Sequence, residues 1–179
     1  MTDASEAAGT DKTDKTDKTD KTVATAVIEL RPVTRANWEA CVALKVRPDQ
    51  GDFVAPNAYS LAQAAYEPGL IPLAVYDAHS DEMVGFLMYA ELPDEQGRHW
   101  IYRVMIAPQQ QGKGYGRALT LAAIARMRAT IPALREITLD FHKDNAVAER
   151  LYESLGFRKT GEVEGDEVFA TLVIAQTAA

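Results

Sequence analysis

The sequence of 179 residues holds a single cysteine, Cys41. One thiol closes no internal disulfide and builds no structural zinc site, which fits a reducing compartment. No run approaches the roughly 18 apolar residues of a membrane span, so no membrane partner is expected. Residues 1–10 lack the basic and apolar regions of a secretory signal. These absences predict a cytoplasmic location. A surplus of positive charge is missing too: 19 Lys and Arg stand against 26 Asp and Glu, a net charge of −7. Non-specific nucleic-acid binding relies on clustered Lys and Arg, so no nucleic-acid partner is expected. No His, Cys and Asp set has ligand spacing, so no metal is expected. An acidic surface serves solubility and can also attract a cationic ligand.

What is present falls into two parts. Residues 11–22 read Asp-Lys-Thr four times. The unit contains no apolar residue and cannot bury a core, so residues 1–22 are expected to be a disordered tail. Residues 23–179 then form one domain, since 47% of the chain is apolar and the length suits a single core. The tail carries four lysines against six acids, so most of the negative balance belongs to the domain.

The domain alternates strand-like and helix-like segments. Strands are predicted at 27–32, 71–76, 83–91, 100–106 and 136–141, with a last one within 163–174 after a turn region at Gly161–Gly165. Thr34 caps a predicted helix reaching Lys45, with Trp38, Val42 and Lys45 at helical spacing. Residues 47–57 read as a loop and 60–67 as a short helix capped by Ser60. Residues 117–130 read as a helix that is apolar nearly all round and therefore buried. On the strand 136–141, Ile137, Leu139 and Phe141 face one way, and Thr138, Asp140 and His142 the other, which leaves His142 exposed. Asp144 or Asn145 caps a helix with a stripe at Val147, Ala148, Leu151, Tyr152 and Leu155, and Gly156 ends it.

Between Ile106 and this buried helix lies Gln111-Gly112-Lys113-Gly114-Tyr115-Gly116. Alternating glycines let the backbone approach a ligand and turn its amides inward. The positive end of the following helix, with Lys113 and Arg117, suits a phosphate or pyrophosphate. The P-loop pattern fails because Gly114, not Ser or Thr, follows Lys113. The dinucleotide pattern fails because Arg117 stands where its third glycine belongs. A plain tight connection stays open. Gln111, Gly114 and Gly116 resemble the acyl-CoA loop Arg/Gln-x-x-Gly-x-Gly/Ala of the GNAT acyltransferases, and Val104-Met105-Ile106-Ala107-Pro108 is similar to the strand before it. Asn145…Tyr152…Gly156-Phe157 resembles the second signature of that family. The resemblance covers about residues 27–174. It implies a mixed α/β fold with a central sheet of about seven strands, flanked by helices and split between two parallel strands. It further implies acetyl-CoA as cosubstrate, with its pyrophosphate on the amides from Gly112 to Arg117. The pantetheine arm would pair with Val104, Met105 and Ile106 like an added strand. A homodimer is a common family property.

Acyl transfer to an amine requires a deprotonated amine, because an ammonium with a pKa of about 10.4 has no lone pair. It also requires donors to the oxyanion, which the N–H groups near Met105 and Ile106 offer, and a proton for the thiolate. The resemblance assigns the thiolate proton to Tyr152 and a pantetheine hydrogen bond to Asn145. The residues alone leave Tyr152 open as core and Asn145 open as a helix cap. Asp140 is the first candidate base, against an ion pair with Lys143. Glu91 is the second, and a water chain serves equally well. Cys41 reads as packing rather than as a nucleophile. The segments 50–57, 60–64, 84–89 and 100–106 resemble bacterial diamine and spermidine/spermine N-acetyltransferases of the family. That implies a cationic amine acceptor, for which Asp49, Asp52, Glu67, Glu91, Tyr59 and Trp100 are the available groups. Another amine, such as an aminoglycoside, an amino acid or a protein N-terminus, and a non-catalytic acyl-CoA-binding module both remain as alternatives.

Overall fold

The computed structural model describes residues 26–175; the Asp-Lys-Thr repeat and the reading of residues 1–10 lie outside them. Seven strands form one sheet in the order β1-β2-β3-β4-β5-β7-β6. They are β1 (Ile28–Pro32), β2 (Leu70–Asp77), β3 (Met83–Ala90), β4 (His99–Ile106), β5 (Glu136–His142), β6 (Arg158–Glu164) and β7 (Glu167–Val173). Every pair is antiparallel except β4–β5. The helices are α1 (Trp38–Ala43), α2 (Asn57–Tyr66), α3 (Tyr115–Thr130) and α4 (Ala146–Ser154).

The layering follows from β3, where every residue from Val84 to Ala90 is buried. A continuous apolar strand needs cover on both faces. Val84, Leu87 and Tyr89 pack with Leu119, Ala123 and Met127 of α3, together with Phe157. Phe86 and Met88 point the other way, into a cluster with Cys41 of α1, Leu61 of α2 and Met105.

Several predicted elements change. The helix predicted from Thr34 starts only at Trp38, because the Thr34 N–H donates to Asn37 Oδ1 (2.7 Å) and the Ala36 N–H to Thr34 Oγ1 (3.2 Å) in a preceding turn. Its buried residue is Cys41, while Trp38 is exposed. α2 begins at Asn57, so Ser60 is internal and its hydroxyl donates to Pro56 O. α3 is amphipathic rather than apolar all round: Leu119, Thr120, Ala123 and Met127 are buried and Leu121 is exposed. On α4, Val147 is exposed and Tyr152 buried. The single last strand is a hairpin of β6 and β7, with a register shift between Lys159 and Val163. β6 is exposed throughout. Its charged side chains suit an edge strand, which must avoid pairing with other chains.

Two irregularities position the site. β4 pairs with β5 only at His99↔Ile137, Trp100↔Thr138 and Ile101↔Leu139. Against β3 the register runs Tyr89↔Ile101 and then Met88↔Arg103, so Tyr102 is an extra, bulged residue that bends β4. The rest of β4, to Ile106, pairs with β3 alone.

Gly85 pairs with Ile106, and a Cβ there would lie 2.3 Å from the Met105 carbonyl oxygen. Gly85→Ala is expected to force β3 and β4 apart and to lower stability by about 1–3 kcal/mol, the usual cost of overpacking. Urea unfolding checks this; an unchanged midpoint would show that the strands tolerate the contact.

Candidate active site

The free edge of β4, the start of α3, α4 and the segment between α1 and α2 enclose two adjoining cavities. The first, about 180 Å³, is lined by Val104, Met105, Ile106, Gln111, Gly112 and Gly116, among others. Gly114, at φ 88°, is the N-cap of α3 and receives no side-chain cap. The first backbone bond of that helix runs from the Ala118 N–H to Gly114 O (3.1 Å). The N–H groups of Tyr115, Gly116 and Arg117 therefore precede the ladder and point out of the helix start. With the dipole of a 16-residue helix behind them, they fit a pyrophosphate.

The side chains around this loop hold its shape. The Tyr115 hydroxyl donates to Asp77 Oδ2 (2.5 Å), and the Ser80 and His79 N–H groups donate to Asp77 Oδ1. The Tyr115 bond and these amides hold the Asp77 carboxyl far below the usual carboxylate range, against the effect of burial. Gln111 Nε2 donates to Ile106 O (3.0 Å) and to Gln50 Oε1 (2.8 Å), tying the loop to the end of β4 and to the Pro48–Gln50 turn. Lys113 Nζ donates to Gln110 Oε1, and Arg117 Nη1 to Ser154 Oγ on α4.

The second cavity, about 280 Å³, lies on the β5 side and is lined by Asp52, Tyr102, Arg103, Asp140 and Glu167, among others. Tyr152 and Asn145 line both cavities, as do Phe53, Val54, Val104 and Ala148. Tyr152 is buried between Phe141 and Phe157, with ring centroids 5.9 and 5.8 Å away. Burial, helped by the charge of Asp140, pushes its phenol well above the ordinary tyrosine range. The group therefore keeps its proton near neutral pH. Burial also raises the Asp140 carboxyl, against the pull of the Arg103 guanidinium. Glu167 is raised by burial and by Asp140.

A model of the acetyltransferase (GNAT) family matches residues 33–157. The chain belongs to that family. It is 30% identical over 142 residues to the spermine/spermidine N(1)-acetyltransferase of Bacillus subtilis (strain 168), covering 76% of this chain and 91% of that protein. A mycothiol acetyltransferase of Kocuria rhizophila is 34% identical over 121 residues, which span only 39% of its length. Among solved structures, the spermidine N-acetyltransferase from Vibrio cholerae in complex with CoA and spermine superposes with a TM-score of 0.65 at 21% identity. That match covers 82% of this chain and 95% of the other, and it shows the shared fold. The protein is an acetyl-CoA-dependent N-acetyltransferase with the mixed, split sheet of its family.

Within this acetyltransferase, the predicted residues separate. Val104, Met105, Ile106, Gln111, Gly112, Gly116, Asn145, Asp140 and Tyr152 come together around the two cavities. Lys113, Gly114, Tyr115 and Arg117 surround the loop without lining either one. Asn145 Oδ1 accepts the Ala148 N–H (3.1 Å), so it caps α4 as well as facing the cavities. Lys143 pairs with Asp166, not with Asp140. Glu91 lines neither cavity; its carboxylate accepts the Tyr89 hydroxyl (3.1 Å) beside Arg126 of α3. Asp49 pairs with Arg47, Glu67 accepts from Gln63, and Tyr59 is exposed. His142 is mostly covered rather than exposed, its ring 5.1 Å from Phe53, and its Nδ1 accepts the Asp144 N–H (3.2 Å). Burial pushes the Cys41 thiol up to about 11, in keeping with a packing role. The sequence missed Arg103, Glu167, Phe53 and Tyr102. Arg103 Nη1 donates to Tyr102 O (2.7 Å), and its buried Nε has no protein partner among the described residues.

Tyr115→Phe removes the bond that anchors the start of α3 to the β2–β3 turn. It is expected to raise KM for acetyl-CoA severalfold while kcat changes little. Steady-state kinetics measures both, and an unchanged KM would mean that the loop holds its shape without Asp77.

Proposed function

We propose that the enzyme acetylates a primary amine of a polyamine, in the cytoplasm, by direct attack of the neutral amine. The observation that carries the reading is Tyr152 in the wall common to both cavities, with Asp52, Asp140 and Glu167 on the acceptor side. Acetyl-CoA supplies an activated thioester. The amides at the start of α3 hold its pyrophosphate, and the free edge of β4 from Val104 to Ile106 aligns its arm as an added strand. The N–H groups on the open side of that stretch stand ready for the oxyanion. On the acceptor side, Asp140 Oδ takes the amine proton; its raised pKa makes it a stronger base than an ordinary carboxylate. Tyr152 Oη holds the proton that the departing thiolate needs. The kinship with the Bacillus enzyme and the carboxylates facing the acceptor cavity both favour a polycation. Arg103 in the same cavity favours a second reading, an amine that also carries a carboxylate.

A panel of amines with acetyl-CoA, read by thiol release, separates the two. Spermidine and spermine are expected to turn over and amino acids not; no turnover of either polyamine sinks the first reading. Tyr152→Phe should lower kcat roughly 10²–10⁴-fold, the usual weight of an acid, with acetyl-CoA affinity preserved. Full activity in that variant would remove Tyr152 from the chemistry. Ionised Asp140 is present above its raised pKa and lost as pH falls through it. Asp140→Asn should therefore erase one acid limb of the kcat/KM profile, and an identical profile would point to a water relay instead.

A further inference from the structure

Past Tyr102 and Asp140 the acceptor cavity continues into a groove of about 250 Å³ below the β6–β7 hairpin. Its walls hold two aromatic rings, Trp100 and Phe169, set edge to face at 5.3 Å, and the carboxylates of Asp94, Glu162 and Glu164. A cation already sits among them. The Arg98 guanidinium lies 4.8 Å from the Trp100 ring centroid and 5.8 Å from that of Phe169. Its Nε donates to Asp94 Oδ2 (2.8 Å), its Nη1 to Glu162 Oε2 (3.1 Å) and its Nη2 to Gln96 Oε1 (3.3 Å). Trp100 Nε1 donates to the same Asp94 oxygen (2.8 Å), which fixes the ring beneath the guanidinium. Burial raises the Asp94 carboxyl, but the bonds from Trp100 and Arg98 outweigh it and bring it to about 2. Asp94 is therefore ionised at neutral pH.

Carboxylates combined with aromatic faces are the chemistry that recognises an alkylammonium. Here that chemistry is spent on a side chain of the protein itself, three-quarters covered at the far end of the groove. The near end differs. Glu164 lines the groove but receives no bond from Arg98, and Asp140 and Tyr102 lead from it into the acceptor cavity. We propose that Arg98 is a specificity-determining residue, its guanidinium filling the place of a distal ammonium, so that the enzyme prefers a short di- or triamine over a longer tetraamine. This rests on the polyamine reading above. One ammonium of a short acceptor lies beside Glu164 while its free amine reaches Asp140. A longer acceptor brings a further charge against Arg98 and is repelled.

The test compares kcat/KM for α,ω-diamines of increasing length, spermidine and spermine in the wild type and in Arg98→Ala and Arg98→Lys. In the wild type kcat/KM is expected to peak at a short acceptor. Arg98→Ala should shift the spermine-to-diamine ratio toward spermine by about tenfold, between the worth of an exposed and of a desolvated cation–π contact, and Arg98→Lys should keep the short preference. If Arg98 only ties the Asp94 turn to the hairpin, Arg98→Ala lowers Tm and scales every kcat/KM alike; an unchanged ratio overturns the proposal. Should Arg98→Ala fail to fold, Arg98→Gln, uncharged but still able to bond Asp94, gives the same ratio to read. Absence of turnover with every polyamine in the wild type would instead overturn the polyamine reading, and the role of Arg98 with it.

Discussion

β4 loses its parallel partner after Ile101, and the remaining features of the site depend on that break. A buried strand edge with unpaired N–H and C=O groups is costly, so it must meet another strand, water or a ligand. From Tyr102 to Ile106 the edge facing β5 is left open, and α4 stands across the gap instead of a strand. The bulge at Tyr102 bends the same stretch. The other edge is pressed so close to β3 that glycine is needed at position 85. β4 is thus rigid on one side and available on the other. An extended thioester arm needs both properties if its reacting carbon is to stay in one place.

The two cavities on either side of Tyr152 have opposite electrostatic character. At the α3 end, backbone amides and the start of the helix provide positive potential, and Lys113, held by Gln110, stands beside them. At the acceptor end, carboxylates from β5 and β7 face the cavity. Between them, burial acts on two groups in useful directions. It keeps the Tyr152 phenol protonated, so the proton is there to give. It raises the Asp140 carboxyl, so the group has more tendency to accept one. Arg103 sets a limit on the second effect, since the pull of its guanidinium opposes the rise that burial gives the Asp140 carboxyl.

What could be read from the sequence was local. The glycine loop, its following helix and the Asn145–Tyr152 helix are contiguous motifs, and their resemblance to the two signatures of one family implied that Gln111, Gly116, Asn145 and Tyr152 share a site. The segments of β3 and β4 showed as strands for the same reason. Arg103 and Glu167 could not be read this way, because one lies on β4 and the other at the start of β7, and only the sheet order brings them together. Tyr102 owes its position to a bulge, which leaves no mark on the pattern of the strand. The strand β6, Arg-Lys-Thr-Gly-Glu-Val-Glu, has too little apolar alternation to show as a strand and passed for a turn region. That error had a cost beyond one element, since Glu162 and Glu164 of β6 form a wall of the groove.

The same groove explains why arginine, rather than lysine, stands at position 98. Asp52, Asp94, Asp140, Glu162, Glu164 and Glu167 converge from five segments of the chain onto the acceptor cavity and its extension. Left alone, such a group would repel itself and would open the sheet where β4 and β5 are already paired by only three residues. A guanidinium can satisfy several acceptors at once and lie flat on a ring. Arg98 does both, with bonds to Asp94 and Glu162 and with Trp100 beneath it. Arg103 offsets Asp140 and Glu167 from the opposite wall. Two guanidinium groups do not offset six carboxylates, and Glu164 and Asp140 receive no bond from either. A covered groove with residual negative charge favours a cation, so for a cationic acceptor binding and relief of repulsion would be the same event.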